Sequence, residues 1–328
     1  MKTIQWGILS TGSIANTFAK TAAQMNGEIE IGAVASRNLP NAQAFAQTYG
    51  IKKAYGSYEQ LATDPDIDIV YVATPHSRHF EDMMLLLTNG KHILCEKSFT
   101  VTADEARWIY NFAKEKNLLV IEAFWTKFLP IYRELEQRLA SGVIGDIRMV
   151  TAQYGYQTSP ARHERKMNPD LAGGALLDIG VYCIGFAAMI LGYKPDEIRS
   201  LMHINEVGTD TQDAIILRYG NASAVLTSAI GINTPVNAVI FGTLGHIDVE
   251  NFKNPQAFTI VLDSGDTERF ELPFDVNGYE YQMREAVNCL NEGKIQSDIM
   301  TPKQSIGVMK IMDKARAKGG LRFPFEQG

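Results

Sequence analysis

Five short apolar runs, Thr3–Leu9, Glu30–Ala35, Ile67–Ala73, Lys91–Cys95 and Leu118–Glu122, recur through the first third of the chain with amphipathic segments between them. The segments Ser13–Met25, Asn41–Tyr49, Arg78–Thr88 and Ala103–Glu115 carry the helical period, the last behind Thr102 as an N-cap. Strands spaced like this are joined by crossover helices rather than tight turns, so they build a parallel sheet covered on both faces. That pattern predicts an α/β, doubly wound domain over residues 1–123.

The pattern changes after Phe124. A helix at Ile131–Ser141 stops at Gly142, and β-rich runs follow at Asp146–Tyr156, Glu197–Glu206, Ala214–Tyr219, Ser223–Ile230, Ala238–Phe241 and Phe258–Leu262. Gly220-Asn221 separates two of them at hairpin spacing. An apolar helix, Val181–Leu191, is available to cover one face, and helices at Tyr279–Glu292 and Pro302–Ala317 precede Gly319-Gly320. Residues 124–328 are therefore expected to form an α+β domain on an open, mainly antiparallel sheet. A length of 328 residues suits two such domains.

The formal net charge of −6 argues against nucleic acid or an anionic membrane as the main partner. No run is expected to reach the roughly 20 apolar residues of a membrane span, and MKTIQWGIL reads as a first strand rather than a signal peptide. Cys95, Cys183 and Cys289 are too scattered for a metal site or a disulfide framework, which points to a reducing cytoplasm. Asp64-Pro65-Asp66-Ile67-Asp68 begins like a calcium loop but has Ile69 where glycine is required. His76 and His79 lack further ligands at metal spacing, so no metal is expected.

The stretch GILSTGSIA, residues 7–15, places Ser10, Gly12 and Ala15 at the three positions of a dinucleotide-binding G-x-G-x-x-G/A turn, between the first strand and the first helix. Ser10 is expected to make the turn with a negative φ. Gly12 lets backbone approach a pyrophosphate, and the helix N-terminus supplies N–H donors. The second strand ends Ser36-Arg37, with no carboxylate to repel a 2′-phosphate and a guanidinium to bind one, so NADP(H) is favoured and NAD(H) is the alternative.

Two further segments carry chemistry. HILCEKSFT (92–100) puts Glu96-Lys97 at a strand end, where ligands of open α/β sheets sit. NPDLAGGALLDIGVY (168–182) is a glycine-rich entry to a helix with Asp178 and Tyr182 four residues apart, on one face. The basic run Ala161–Lys166 before it reads as a solvated loop.

With ATPHSRH (73–79) and AFWTKFLP (123–130), these segments make the chain resemble the Gfo/Idh/MocA oxidoreductase family along its whole length. Tyr182 and FWTKFLP point to its dimeric dihydrodiol dehydrogenase and NADP-linked aldose dehydrogenase branch. The resemblance implies an N-terminal Rossmann domain and a C-terminal sheet that forms the interface of a homodimer or higher homo-oligomer. It also implies reversible hydride transfer between NADP(H) and a sugar, polyol, dihydrodiol or related carbonyl. It assigns Lys97, Tyr182 and Asp178 to catalysis, and Ser10, Thr11, Gly12, Ser13 and Ile14 to the phosphate turn. Ser36 and Arg37 fall at the adenosine phosphate, Thr74, Pro75, His76 and Glu96 at the nicotinamide end, and Trp125 and Arg165 nearby. Trp125, Phe128, Tyr156, Arg162 and Tyr279 are the side chains expected around the substrate.

The chemistry is consistent with those assignments. A tyrosine of unperturbed pKa ~10 is a poor base, and an ammonium such as that of Lys97 would favour its phenolate and stabilise a developing alkoxide. Ser98 stands where the family motif carries proline after the lysine, which leaves a cis and a trans Lys97–Ser98 bond as alternatives. A non-catalytic nucleotide-binding regulator of the same fold is the rival reading, and the presence of both Lys97 and Tyr182 weighs against it.

Overall fold

A computed structural model describes residues 3–326, the side chains of residues 160–162 excepted. The chain divides into two compact units. The first runs to Phe128 and takes in Asp275–Ser305; the second comprises Leu129–Phe274 and the chain from Ile306 onward.

In the first unit the elements are β1 (Gln5–Leu9), α1 (Ser13–Gln24), β2 (Glu30–Ala35), α2 (Leu39–Tyr49), β3 (Lys53–Tyr55), α3 (Tyr58–Ala62), β4 (Ile69–Val72), α4 (His79–Thr88), β5 (His92–Glu96), α5 (Ala103–Lys116) and β6 (Val120–Ala123). All six strands are parallel, in the order β3-β2-β1-β4-β5-β6. That is the doubly wound order, whose direction reverses between β1 and β4; ligands of such sheets bind outside the strand ends at that point. The central strands are continuous apolar runs, Ile69–Val72 being buried at every position, as a sheet covered on both faces demands. Thr102 caps α5 in a full capping box with Glu105. The sequence reading omits β3 and α3, of three and five residues, which are too short to show a period.

In the second unit, α6 (Pro130–Ala140), β7 (Ile147–Tyr156), α7 (Pro160–Lys166) and α8 (Val181–Leu191) precede β8 (Glu197–Ile204), β9 (Asp210–Tyr219), β10 (Ala222–Ile230), β11 (Asn237–Gly242), β12 (Gly245–Glu250), β13 (Ala257–Leu262) and β14 (Thr267–Glu271). The eight strands lie in the order β14-β13-β12-β11-β7-β10-β9-β8. Every neighbouring pair is antiparallel except β7 with β10, which is parallel. Gly220-Asn221 does close the β9–β10 hairpin, with Gly220 at φ 54°. Alternation along β8, β9 and β10 sends Ile198, Ile215, Leu217 and Leu226 inward and leaves Leu201, Ile216 and Val225 exposed on the other face. Helix α9 (Glu280–Asn291) belongs to the first unit, and α10 (Pro302–Gly319) starts in the first and continues in the second.

Against expectation, one stretch is long and apolar enough to cross a bilayer, Pro169–Leu191. Most of it is buried, and α8 packs on β7 and β10, so its apolar surface serves the core of this unit. Cys95, Cys183 and Cys289 are buried free thiols.

Candidate functional site

At the end of β1 the chain turns sharply. Ser10 has φ 95°, not the negative value expected, and its N–H donates to Ala35 O at 2.9 Å. The serine therefore adopts the conformation for which glycine is usual, stitched to the end of β2. Asn16, which sequence reasoning overlooked, holds the turn from α1. Its amide donates to Thr11 O and Gly12 O at 3.2 and 2.9 Å and accepts from the Tyr49 hydroxyl at 2.7 Å.

Gly12 caps α1 at φ −69°, a conformation open to any residue, and a Cβ there would meet only Ser10 Oγ, at 3.8 Å. Neither conformation nor protein packing calls for a glycine here. No side chain caps this helix and no acid lies in its first turn. The turn fits a dinucleotide phosphate: the space is open and the helix dipole favours an anion. At the end of β2 no carboxylate follows Ala35. Ser36 Oγ accepts from Asn38 N–H at 3.3 Å, and the exposed Arg37 and Arg78 both oppose the rise that burial gives the Tyr58 phenol.

Thr74, Pro75 and His76 follow β4, and Glu96-Lys97 closes β5, on the same side of the sheet as the phosphate turn. The Lys97–Ser98 peptide is cis. His79, wholly buried, ties the two loops. Its Nδ1 faces Ser98 O at 2.9 Å and Phe99 O at 3.2 Å, and its Nε2 faces Thr74 O at 3.0 Å. Burial pushes the carboxyl of Glu96 up to about 7, against the opposing pull of the Tyr71 hydroxyl donating to it and of Lys97. Glu122, in register with Cys95 on β6, is likewise pushed to about 7 by burial, opposed by hydrogen bonds from Ser305 and the Phe99 N–H. Trp125 stacks on Tyr279 with ring centroids 4.0 Å apart and planes 6° from parallel, and Phe128 is buried in the same 3-10 turn as Trp125.

In the second unit Asp178 lies in a single π-helical turn, Leu176–Gly180, which runs straight into α8 and Tyr182. Such turns are frequent at functional sites. Lys166 donates to Asp178 Oδ2 at 2.6 Å and also to the Tyr156 hydroxyl, which in turn donates to the same oxygen at 2.5 Å. Lys166 is thus part of a cluster rather than of a solvated run. Burial, then the Asp178 charge, pushes the Tyr156 phenol up, with the exposed Arg165 pulling the other way. Tyr182 is nearly buried beside Tyr154, whose hydroxyl accepts from Lys253 at 3.0 Å. The Arg162 side chain lies outside the described residues.

The two glycines ahead of this turn answer to packing. A Cβ on Gly173 would lie 2.3 Å from Lys166 O, and one on Gly174, at φ 126°, would lie 2.0 Å from Asp210 Oδ1. A Cβ on Gly180 would lie 2.8 Å from Ser228 Oγ.

Comparison with known proteins agrees with this architecture. Residues 4–124 match the model of the oxidoreductase family with an NAD-binding Rossmann fold, and residues 132–248 match the GFO/IDH/MocA C-terminal domain. The trans-1,2-dihydrobenzene-1,2-diol dehydrogenase of Xenopus laevis is 36% identical over 98% of this chain and 99% of its own. The human enzyme of that name is 34% identical over 98% of each chain. Among solved structures, KijD10, a 3-ketoreductase from Actinomadura kijaniata in complex with NADP and TDP-benzene, superposes with a TM-score of 0.88 at 26% identity, over 97% of this chain and 98% of that one. The chain belongs to the Gfo/Idh/MocA family of oxidoreductases.

Proposed function

We propose that the protein is an NADP(H)-preferring dehydrogenase or reductase, acting on the CH–OH group of a sugar, polyol or dihydrodiol or on the corresponding carbonyl. The observation that carries the cofactor choice is the end of β2. Ser36-Arg37 stands where an NAD-binding unit places an acid, and the exposed Arg37 joins Arg78 in acting on the Tyr58 phenol. The NADP held by KijD10 supports the same choice.

Bound NADP(H) supplies or accepts the hydride. Residues Ser10–Ile14 would hold its phosphates and Ser36 and Arg37 its 2′-phosphate, with Thr74, Pro75, His76, Glu96, Trp125 and Arg165 assigned to the rest of the cofactor. Oxidising a carbinol requires its hydroxyl proton to leave, and reduction requires a proton for the forming alkoxide. Tyr182 and Lys97 are the groups assigned to that proton. Asp178, fixed by Lys166 and Tyr156, orients a substrate hydroxyl. Self-association runs through the face of the eight-stranded sheet that exposes Leu201, Ile216 and Val225.

Titration of tryptophan fluorescence with NADPH and NADH, followed by turnover of a polyol, aldose and dihydrodiol panel, tests this reading. Tight NADPH binding with turnover is the expected result. Binding without turnover favours the regulator, and no binding of either nucleotide overturns the reading of the first unit.

A further inference from the structure

Two carboxyl groups that the hydride-transfer reading does not use lie buried under the π-helical turn. Asp210 opens β9 with no exposed surface, and Asp213, three residues on, is 4% exposed. Asp210 Oδ2 accepts from the Leu176 N–H at 2.6 Å. Leu176 is the first residue of the turn, and its N-cap residue, Ala175, has no side chain that could cap it. Asp213 Oδ2 accepts from the Ser228 hydroxyl at 2.7 Å, and Ser228 is the side chain against which Gly180 closes the far end of the turn. One acid thus grips the start of Leu176–Gly180 and the other, through Ser228, braces its end.

The two remaining oxygens decide the protonation state. Asp210 Oδ1 and Asp213 Oδ1 are both buried, and neither receives a hydrogen from any residue. A register shift in the β8–β9 pairing at this point leaves both acids on the buried side of β9, where each acts on the other. Two ionised carboxylates so placed would repel in a medium that screens poorly, whereas one proton between them satisfies both orphaned oxygens. We infer that Asp210 and Asp213 share one proton, and that this bridged pair is the positioning device for the turn carrying Asp178 and Tyr182.

Burial pushes both acids up, and the charge of Asp210 pushes Asp213 further, so Asp213 carries the proton and Asp210 keeps the charge that backbone N–H groups solvate. The other neighbours do not compete for it. From β10 comes the neutral Ser228, and from α8 the Cys183 thiol, which burial and then Asp213 push up and so hold neutral. Thr209, beside Asp210, spends its hydroxyl on Met167 O at 2.9 Å.

The test compares Asp213→Asn, which replaces the bridging proton with an amide N–H, and Asp213→Leu, which removes it. In the infrared difference spectrum of wild type against Asp213→Asn at neutral pH, the band lost is expected to be a protonated-carboxyl C=O stretch. Loss of a carboxylate band instead overturns the shared proton. Amide hydrogen exchange across residues 175–182 is expected to match wild type in Asp213→Asn and to speed up by about tenfold or more in Asp213→Leu, as for a lost buried hydrogen bond. Equal exchange in the two variants, or fast exchange in both, overturns the positioning role. Both measurements use the unliganded protein, so they stand or fall apart from the assignment of a substrate. A Leu variant that does not fold leaves the infrared band to decide.

Discussion

Lys166 Nζ lies 2.6 Å from Asp178 Oδ2, and the two side chains are only 17% and 18% exposed. The ammonium comes from the end of α7 and the carboxylate from the π-helical turn, twelve residues further along. A pair this shielded from water is worth more than a surface ion pair, because removing one partner leaves the other poorly solvated. Lys166→Met is expected to destabilise the protein by about 1.5–3 kcal/mol, the range for a hydrogen bond to a charged group. Because Asp178 then loses one of the two groups that fix it, keeping the Tyr156 hydroxyl, kcat should fall while the KM for NADPH stays unchanged. Denaturant midpoints and steady-state kinetics on the same variant check both halves.

Arg37, at the end of β2, is the residue proposed to set cofactor choice. Arg37→Ala is expected to raise the KM for NADPH by about tenfold to a hundredfold, the loss of one charge-assisted phosphate contact at about 1.4 kcal/mol per decade. The KM for NADH should barely move. Arg37→Asp should go further and reverse the preference, since a carboxylate there repels a 2′-phosphate and can accept from a ribose hydroxyl. An unchanged KM for NADPH in both variants would sink the assignment.

What the sequence discloses follows from how much each element depends on its own residues. The six-stranded sheet is legible because β1, β2, β4, β5 and β6 are apolar runs bounded by helices of adequate length. In the second sheet, β12 and β14 escape notice. GHIDVE sets its charges on the solvated face, and TERFE is an edge strand with hardly a buried residue, so neither shows a clear apolar run. The parallel β7–β10 pair is invisible for a different reason: residues far apart in the chain, such as Met149 and Ser223, meet only through tertiary packing.

The candidate site divides the same way. Motif positions such as Gly12, Lys97 and Tyr182 can be named from short range. The partners that hold them cannot. Asn16 serves Thr11 and Gly12 through a side chain that looks like an ordinary helix polar residue, and Lys166 sits in a run of charges that resembles any exposed loop. Ser10 shows the limit most sharply, because its positive φ belongs to the turn between β1 and α1, where its N–H is bonded to Ala35 O on the neighbouring strand, and is not a preference of serine.

Two glycines separate a ligand requirement from a packing requirement. Gly174→Ala would place a methyl 2.0 Å from Asp210 Oδ1 at φ 126°, so backbone and neighbour both resist it. A loss of at least about 3 kcal/mol is expected, enough to lower the melting temperature of the second unit by several degrees. Gly12→Ala meets nothing nearer than 3.8 Å and leaves φ at an ordinary value, so stability should stay within about 0.5 kcal/mol of wild type. Its methyl would instead occupy the space proposed for the pyrophosphate, and nucleotide affinity should fall by about tenfold or more. Thermal melts with and without NADPH on the two variants tell these effects apart. A Gly12→Ala protein that binds NADPH normally would count against the phosphate turn.

The buried Glu122 carboxyl makes stability depend on pH in a direction opposite to most acids. Its pKa of about 7 in the folded chain lies above the value near 4.3 expected once unfolded. Between those two values the folded state holds a proton that the unfolded state has released, so stability falls as pH rises through the window and levels off above about 7. Glu96 acts in the same sense from β5. Glu122→Gln keeps an oxygen to accept from Ser305 and the Phe99 N–H but cannot ionise, so it removes one share of the slope. Relative to wild type the variant should gain on the order of 2–3 kcal/mol at pH 8 and little at pH 5. Urea midpoints at the two pH values measure the difference. A Glu122→Gln variant whose stability tracks wild type across the whole window would show that Glu122 ionises in the folded chain as readily as in the unfolded one.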